Sequence, residues 1–156
     1  MTNKFRNEPT IVELPVIRMA DVPTIVAIAQ QIPELTNPYA EAEYYRRFEG
    51  VPHLMLAAWL QGQAIGFKAG YEREGQFYSW MGGVLPAFRR LGVAAALAAT
   101  QEDWARAQGY EWIFFKTRNS HKGMLVFALK NGFNIVGFES KDILSEHRII
   151  LQKTLD

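Results

Sequence analysis

One segment, residues 82–97 (GGVLPAFRRLGVAAAL), constrains the fold of this chain more than any other. It runs from an apolar strand pattern, through a short turn with two arginines and a glycine, into an alanine-rich helix pattern. The first turn of a helix has unpaired backbone N–H groups and a partial positive charge, so it binds phosphate without a dedicated side chain. Gly92 lets a ligand approach the backbone, and Ala94 and Ala95 leave the first turn uncrowded. The segment predicts an anion cradle between a strand and a helix.

An alternative is that Gly92 only forms a tight turn and that the alanines only favour a helix. The context favours the cradle, because Gly82 and Gly83 end the strand before it, and a further strand and a capped helix follow. A glycine pair inside a strand pattern predicts a β-bulge or a backbone that another group approaches closely. A dinucleotide-binding turn needs G-x-G-x-x-G and a P-loop needs Gly-Lys-Ser/Thr, and the sequence supplies neither.

Hydrophobic periodicity and turn residues predict the elements around this segment. The predicted strands cover residues 12–18, 54–60, 64–72, 77–85, 112–117, 133–138 and 148–155. The predicted helices run from a cap at Asp21 to Ile32, over residues 40–48, over residues 92–108, and from a cap at Asn119 or Ser120 to Lys130. The order β, α, α, β, β, β, α, β, α, β, β indicates an α+β fold of mixed layers.

Composition limits the class of protein further. A chain of 156 residues with 49% hydrophobic and 21% charged residues is expected to form one domain over residues 1–156. Its formal net charge of +1 lacks the excess of basic residues that a general nucleic-acid or membrane binder carries. Residues 1–9 contain no apolar stretch typical of a signal peptide, and the expected location is cytoplasmic. Cysteine is absent, which excludes an enzyme thioester.

The segment around Gly92 resembles the acetyl-CoA signature of the GNAT superfamily of N-acetyltransferases. Residues 84–94 (VLPAFRRLGVA) match its Arg/Gln-x-x-Gly-x-Gly/Ala motif preceded by Val-x-Pro. Residues 17–21 (IRMAD) resemble its first strand and helix entry, and Asn119 with residues 130–133 (KNGF) resembles its later motifs. The resemblance covers nearly the whole chain in the right order. It implies a mostly antiparallel sheet of about seven strands, splayed between the fourth and fifth, with helices on both faces.

The resemblance implies a role for each matching position. The backbone around the turn would hold the CoA pyrophosphate, Val84 would pair with the pantetheine arm, and Asn119 would contact that arm or the reaction zone. For Asn119 the equally weighted alternative is a helix cap. The implied cofactor-binding residues are Val84, Leu85, Arg89, Arg90, Leu91, Gly92, Val93, Ala94, Ala95 and Asn119.

The implied reaction is direct transfer of an acetyl group from acetyl-CoA to a primary amine of a small molecule or peptide. Backbone N–H groups near Gly82 to Val84 would stabilise the oxyanion, and Glu72 is the best-placed carboxylate for removing a proton from the amine. The family's usual general acid, a Tyr, is replaced here by Ala128. That departure supports an alternative function, a non-catalytic acyl-CoA binding or sensing module.

Acceptor and partners are less constrained. Aromatic residues in the helix-pair region could border an acceptor, and Glu34, Glu41 and Glu43 could attract a cationic amine, although an ordinary amphipathic helix is the favoured interpretation. The three histidines lack ligand spacing, so no metal is expected. A third hypothesis is a nucleic-acid module, built on Arg89, Arg90, Arg118 and Lys122. It is not the favoured one, and the sequence predicts no nucleic-acid partner. A homodimer is compatible with the sequence.

Overall fold

The computed structural model describes residues 13–156, which form seven strands and four α-helices in the order predicted from the sequence. The strands are β1 Val16–Met19, β2 His53–Leu60, β3 Gln63–Arg73, β4 Gln76–Val84, β5 Trp112–Arg118, β6 Asn134–Glu139 and β7 Arg148–Thr154. The helices are α1 Val22–Ala29, α2 Glu41–Phe48, α3 Val93–Ala107 and α4 Lys122–Lys130. The first predicted strand began at Val12, which lies outside the described residues.

The strands form one sheet in the order β1-β2-β3-β4-β5-β7-β6. Every neighbouring pair is antiparallel except β4 and β5, which are parallel. The turns Gln61-Gly62 and Glu74-Gly75 have two successive residues with positive φ, as the preferred two-residue hairpin requires. The expected splayed, mostly antiparallel sheet with helices on both faces is therefore confirmed.

Each face of the sheet carries its own apolar core. On one face, α1 and α2 pack on residues such as Phe67, Tyr78 and Trp80. On the other face, α3 packs on residues such as Ile65, Phe77 and Ile113. We call these the α1/α2 face and the α3 face.

Two helix boundaries differ from the prediction. The first helix ends at Ala29 rather than Ile32, because the N–H groups of Gln31 and Ile32 bind the carbonyls three residues back in tighter turns. The last helix begins at Lys122 rather than at Asn119 or Ser120. The N–H groups of Asn119 and Ser120 instead donate to His147 and Ser145 in the loop between β6 and β7, at 2.7 and 3.0 Å.

The irregularity in β4 lies two residues before the predicted one. Gly82 and Gly83 pair regularly with Lys68 and Phe67. The bulge is at Trp80, which has no partner in β3, whereas Ser79 and Met81 on either side of it are paired. The other alternative for the glycine pair, a backbone that another group approaches closely, is found at Gly83. A Cβ there would lie 2.6 Å from Cδ1 of Ile32, so a larger residue would displace the end of that side chain.

Within residues 13–156, none of the helices combines the length and the apolar character that a bilayer crossing would require.

Candidate functional site

An opening between β4 and β5 is the main irregularity of the sheet. The two strands pair only at Phe77 with Ile113 and at Tyr78 with Phe114. Beyond Tyr78 no ladder joins them in the described chain, although β4 continues to Val84 and β5 to Arg118. One edge of β4 is therefore available to another group, as expected from the predicted splay between the fourth and fifth strands.

The peptide groups that face this opening follow from the pairing of β4 with β3. The N–H of Leu85 donates to the carbonyl of Ile65 at 2.8 Å, so it points towards β3. Successive peptide groups of a strand alternate in direction, and the N–H groups of Val84 and Gly82 therefore point towards the opening. These two donors are the ones that a strand-like ligand would meet.

The first turn of α3 follows β4 after residues 85–92, which include a single 3₁₀ turn at Pro86–Phe88. Gly92 occupies the N-cap position with φ +80°, a left-handed conformation that strains other residues, and a Cβ there would meet nothing within 4 Å. No side chain of residues 13–156 caps this helix. Leu91, Gly92, Ala94 and Ala95 are exposed, whereas Val93 is buried. The end of the helix thus presents uncapped N–H groups with open space in front of them.

Arg89 fastens the turn to the rest of the protein. Its Nε donates to the carbonyl of Val84 at 3.1 Å, and its two terminal nitrogens donate to the Glu34 carboxylate at 2.7 Å each. The Arg89 hydrogen bonds lower the pKa of Glu34 to about 2. Arg89 and the carbonyl of Val84, two groups at predicted cofactor-binding positions, therefore already bind partners within the protein. The neighbouring Arg90 is exposed.

Asn119 lies where β5 ends, on the other side of the opening. Its Nδ2 donates to the carbonyl of Leu144 at 3.2 Å, and its Oδ1 accepts from Lys122 at 3.0 Å. Both ends of the amide thus fasten the loop between β6 and β7 and the start of α4, and Asn119 does not act as the helix cap. His121 is the N-cap residue of α4, with its Nδ1 3.5 Å from Oγ1 of Thr117.

His121 was not predicted as a site residue. Burial, with a smaller effect of Arg118, lowers its pKa, and the Glu34 carboxylate opposes that change from across the opening. A lone histidine before a helix has no distinguishing sequence pattern, and only the fold places it beside the opening.

The structure does not bring Glu72 to the open part of β4. Glu72 pairs with Phe77, in the closed part, and lies beside the Tyr110 hydroxyl, whose pKa is raised to about 12 by burial and by that carboxylate. Ala128 is 1% exposed in α4. Two carboxylates considered for the acceptor, Glu34 and Glu43, are already paired with arginines.

The chain matches a known family and known folds. The sequence model of the acetyltransferase (GNAT) family matches residues 24–133. The ribosomal-protein-S18-alanine N-acetyltransferase of Escherichia coli is similar in structure, with a TM-score of 0.79 at 17% identity over 92% of this chain and 95% of that one. Ard1 from Thermoplasma volcanium gives 0.76 at 22% identity, over 91% and 98% of the two chains.

A GNAT acetyltransferase from Elizabethkingia anophelis, solved with acetyl-CoA bound, gives a TM-score of 0.73 at 18% identity, over 90% of this chain and 98% of that one. These identities indicate a shared fold. A comparison with curated protein sequences gives no significant match.

The mixed α+β domain, with its sheet open between β4 and β5, has the fold of these acetyltransferases. The family match extends over most of that domain. The chain belongs to the acetyltransferase (GNAT) family.

Proposed function

We propose that the protein is an N-acetyltransferase that moves the acetyl group of acetyl-CoA directly to a primary amine. The observation that carries this proposal is the presence of two groups of free backbone donors at one opening: the N–H groups of Gly82 and Val84 on the open edge of β4, and the uncapped first turn of α3. Together they suit a long polar molecule with a phosphate group at one end.

Each of these two groups of backbone donors fits one part of acetyl-CoA. The uncapped N–H groups around Gly92 and Ala94 fit the pyrophosphate, and the partial positive charge of the helix end favours its negative charge. The N–H of Val84 fits a carbonyl of the pantetheine arm. Arg90 is exposed beside the turn and supplies positive charge, while Arg89 holds the turn in place through Val84.

Gly82 is our candidate for the oxyanion donor, because its N–H faces the opening one alternation before Val84. When bound, acetyl-CoA supplies a thioester carbonyl that an amine can attack, with the CoA thiol as the leaving group. A preorganised donor of this kind contributes about 3 to 4 kcal/mol in acyl transfer. The chain contains no cysteine, so no acyl-enzyme forms on sulfur, and its own residues would orient the two substrates and bind the developing charge.

The position of the proton acceptor is part of the proposal. An aliphatic amine with a pKa of about 10 must lose a proton before or during attack. Glu72 was the carboxylate expected from the sequence, and it lies beside the closed part of β4. His121 is closer to the opening, and its lowered pKa favours the neutral imidazole that accepts a proton.

A thiol-release assay with acetyl-CoA and a panel of primary amines tests this function. We expect release of CoA that depends on the amine, with one acetyl group added to the amine by mass spectrometry. Calorimetry of CoA binding is the companion measurement.

The two candidate functions give different results. Binding of CoA without release from acetyl-CoA by any amine would favour the non-catalytic acyl-CoA module, which the buried Ala128 in place of a general acid motivates. Absence of CoA binding would reject both.

A further inference from the structure

On the α1/α2 face, a cluster of aromatic rings and arginines borders the point where β4 and β5 separate. Trp80, the bulge residue, has Tyr39 at 5.1 Å and Tyr44 at 4.7 Å between ring centroids. The guanidinium of Arg47 lies 4.4 Å above the Trp80 ring. Tyr78 stacks on Phe114 across the last paired position of the two strands, at 5.0 Å.

Arg47 is held in place with one end available. Its Nε donates to Glu43 at 2.8 Å and its Nη1 to the Tyr71 hydroxyl at 2.9 Å. Its Nη2 has no acceptor within residues 13–156, and 21% of the side chain is exposed. A stacked and tethered guanidinium loses little further freedom when it binds a planar anion.

Two more arginines, from other strands, approach Tyr78. The guanidinium of Arg73, the last residue of β3, lies 5.3 Å from the centre of the Tyr78 ring. Arg148, the first residue of β7, is close enough to Tyr78 to oppose the rise in its pKa that burial causes. Neither Arg73 nor Arg148 has an ion-pair partner within the described part of the chain.

The two ion-paired carboxylates beside the cluster do not neutralise it. Glu43 is shared by Arg46 and Arg47, and Glu139 by Lys116 and Lys141. Each of these two carboxylates faces two cations, so the surface around Tyr78 stays cationic. A surface of this sign repels a purely cationic amine and attracts a negatively charged group.

We infer that the acceptor is a primary amine that also carries an anionic group, which Arg47 and Arg73 bind beside Tyr78. The inference rests on the proposed acetyl transfer and names the class of its acceptor. Guanidinium groups bind carboxylates and phosphates in the same forked geometry, and the class is defined by that shared chemistry.

The fold also sets the distance between the two groups of the acceptor. Tyr78 and Gly82 are roughly 10 Å apart along β4, at about 3.3 Å per residue with one residue taken up by the bulge. An amine at Gly82 and an anion near Tyr78 are thus several bonds apart. An α-amino acid, with both groups on one carbon, is too short to reach both.

The test compares ε-aminocaproic acid with its amide and with n-pentylamine, all of which present the same aliphatic primary amine. We expect kcat/KM for the acid to exceed that for either analogue that lacks the anionic group by about tenfold or more. A phosphonate of the same chain length is the arm that separates a carboxylate site from a phosphate site. Equal or better use of the amide would overturn the inference while leaving the proposed acetyl transfer intact.

Variants assign the effect to the cluster. Arg47→Gln and Arg73→Gln should each lower kcat/KM for the acid about tenfold, mainly through KM, and change the amide little. Arg46→Gln is the matched control, because Arg46 also pairs with Glu43 but its side chain is 68% exposed. A loss that is equal for acid and amide would mean that the arginines only support the fold, and would contradict the inference.

A binding measurement decides the inference even if no amine is acetylated. Nitrogen-15 NMR can follow the arginine Nε–H signals while the CoA-loaded protein is titrated with N-acetyl-ε-aminocaproic acid or its amide. Saturable shifts of Arg47 and Arg73 with the acid and not the amide support the anion site, even where turnover fails. Their absence overturns it.

Discussion

The opening between β4 and β5 offers two different kinds of group. Along the edge of β4 and at the first turn of α3 they are backbone N–H donors, at Gly82, Val84 and the start of the helix. On the α1/α2 face they are side chains, with Arg47 and Arg73 set among aromatic rings. Backbone donors suit a ligand that is always the same, whereas side chains can change from one protein to the next without altering the fold. Under the proposed function, this difference makes the CoA side generic and the acceptor side particular to this protein.

The largest effect is expected where the backbone side is blocked. Gly92→Glu places bulk and negative charge in front of the uncapped helix end, and we expect CoA affinity to fall at least about a hundredfold, or about 2.7 kcal/mol. The left-handed backbone adds about 1 to 2 kcal/mol of strain, which calorimetric binding and thermal unfolding separate from the loss of affinity.

The matched control for this change is Gly109→Glu at the other end of α3. Gly109 also has a positive φ, of +88°, with nothing within 4 Å of a Cβ, so strain and charge are similar. If both variants bind CoA normally, the N-terminal end of the helix is not the phosphate site.

The next effect concerns the charged side chain that lies on the α3 face beneath Gly82. Burial lowers the pKa of Lys68 to about 8. The unfolded chain, with an ordinary value of 10.5, then binds more protons between about pH 8 and 10.5, so the free energy of unfolding rises with pH in that range. The slope from this group is at most about 1.4 kcal/mol per pH unit.

Lys68→Met should remove that slope and stabilise the protein near neutral pH, measured by urea unfolding at several pH values. The exposed Lys130→Met serves as the control for loss of one positive charge. Parallel curves for the wild type and the Lys68 variant would contradict the burial of a charged amine on this face.

The smallest effect is expected at the contact that joins the two faces. Glu34, in the segment between α1 and α2, pairs with Arg89 at the cradle, with side chains 51% and 39% exposed. Because its folded pKa of about 2 is below the ordinary 4.5, the pair stabilises the protein above about pH 4.5 and loses this effect as the pH falls through about 2. Solvent screening limits the contribution to under about 1 kcal/mol.

Glu34→Gln should therefore lower the free energy of unfolding by less than about 1 kcal/mol at neutral pH, and less at high salt. The exposed Glu49→Gln provides the comparison. A loss of several kcal/mol would show that the pair is structurally more important than its exposure suggests.

The same contrast explains what could be predicted from the sequence. The cradle is made of adjacent residues whose turn and helix signals are local, so residues 84–95 could be placed from the sequence. The arginine cluster joins α2, β3 and β7, and no local pattern connects those segments. Asn119 resembled a helix cap because Asn and the Ser120 that follows are both preferred N-cap residues, whereas its backbone N–H and its Nδ2 donate to the distant loop after β6.

The extra residue in β4 has a consequence for how this strand can vary. Phe77 and Val84 belong to the same core although they are an odd number of positions apart, because Trp80 and Met81 both contact the opposite core. A strand without Trp80 could keep Phe77 in its core or keep the Gly82 amide at the opening, but not both. Length changes in this strand are therefore tolerated only in pairs, and homologues that lack the bulge would have to rebuild one end of the sheet.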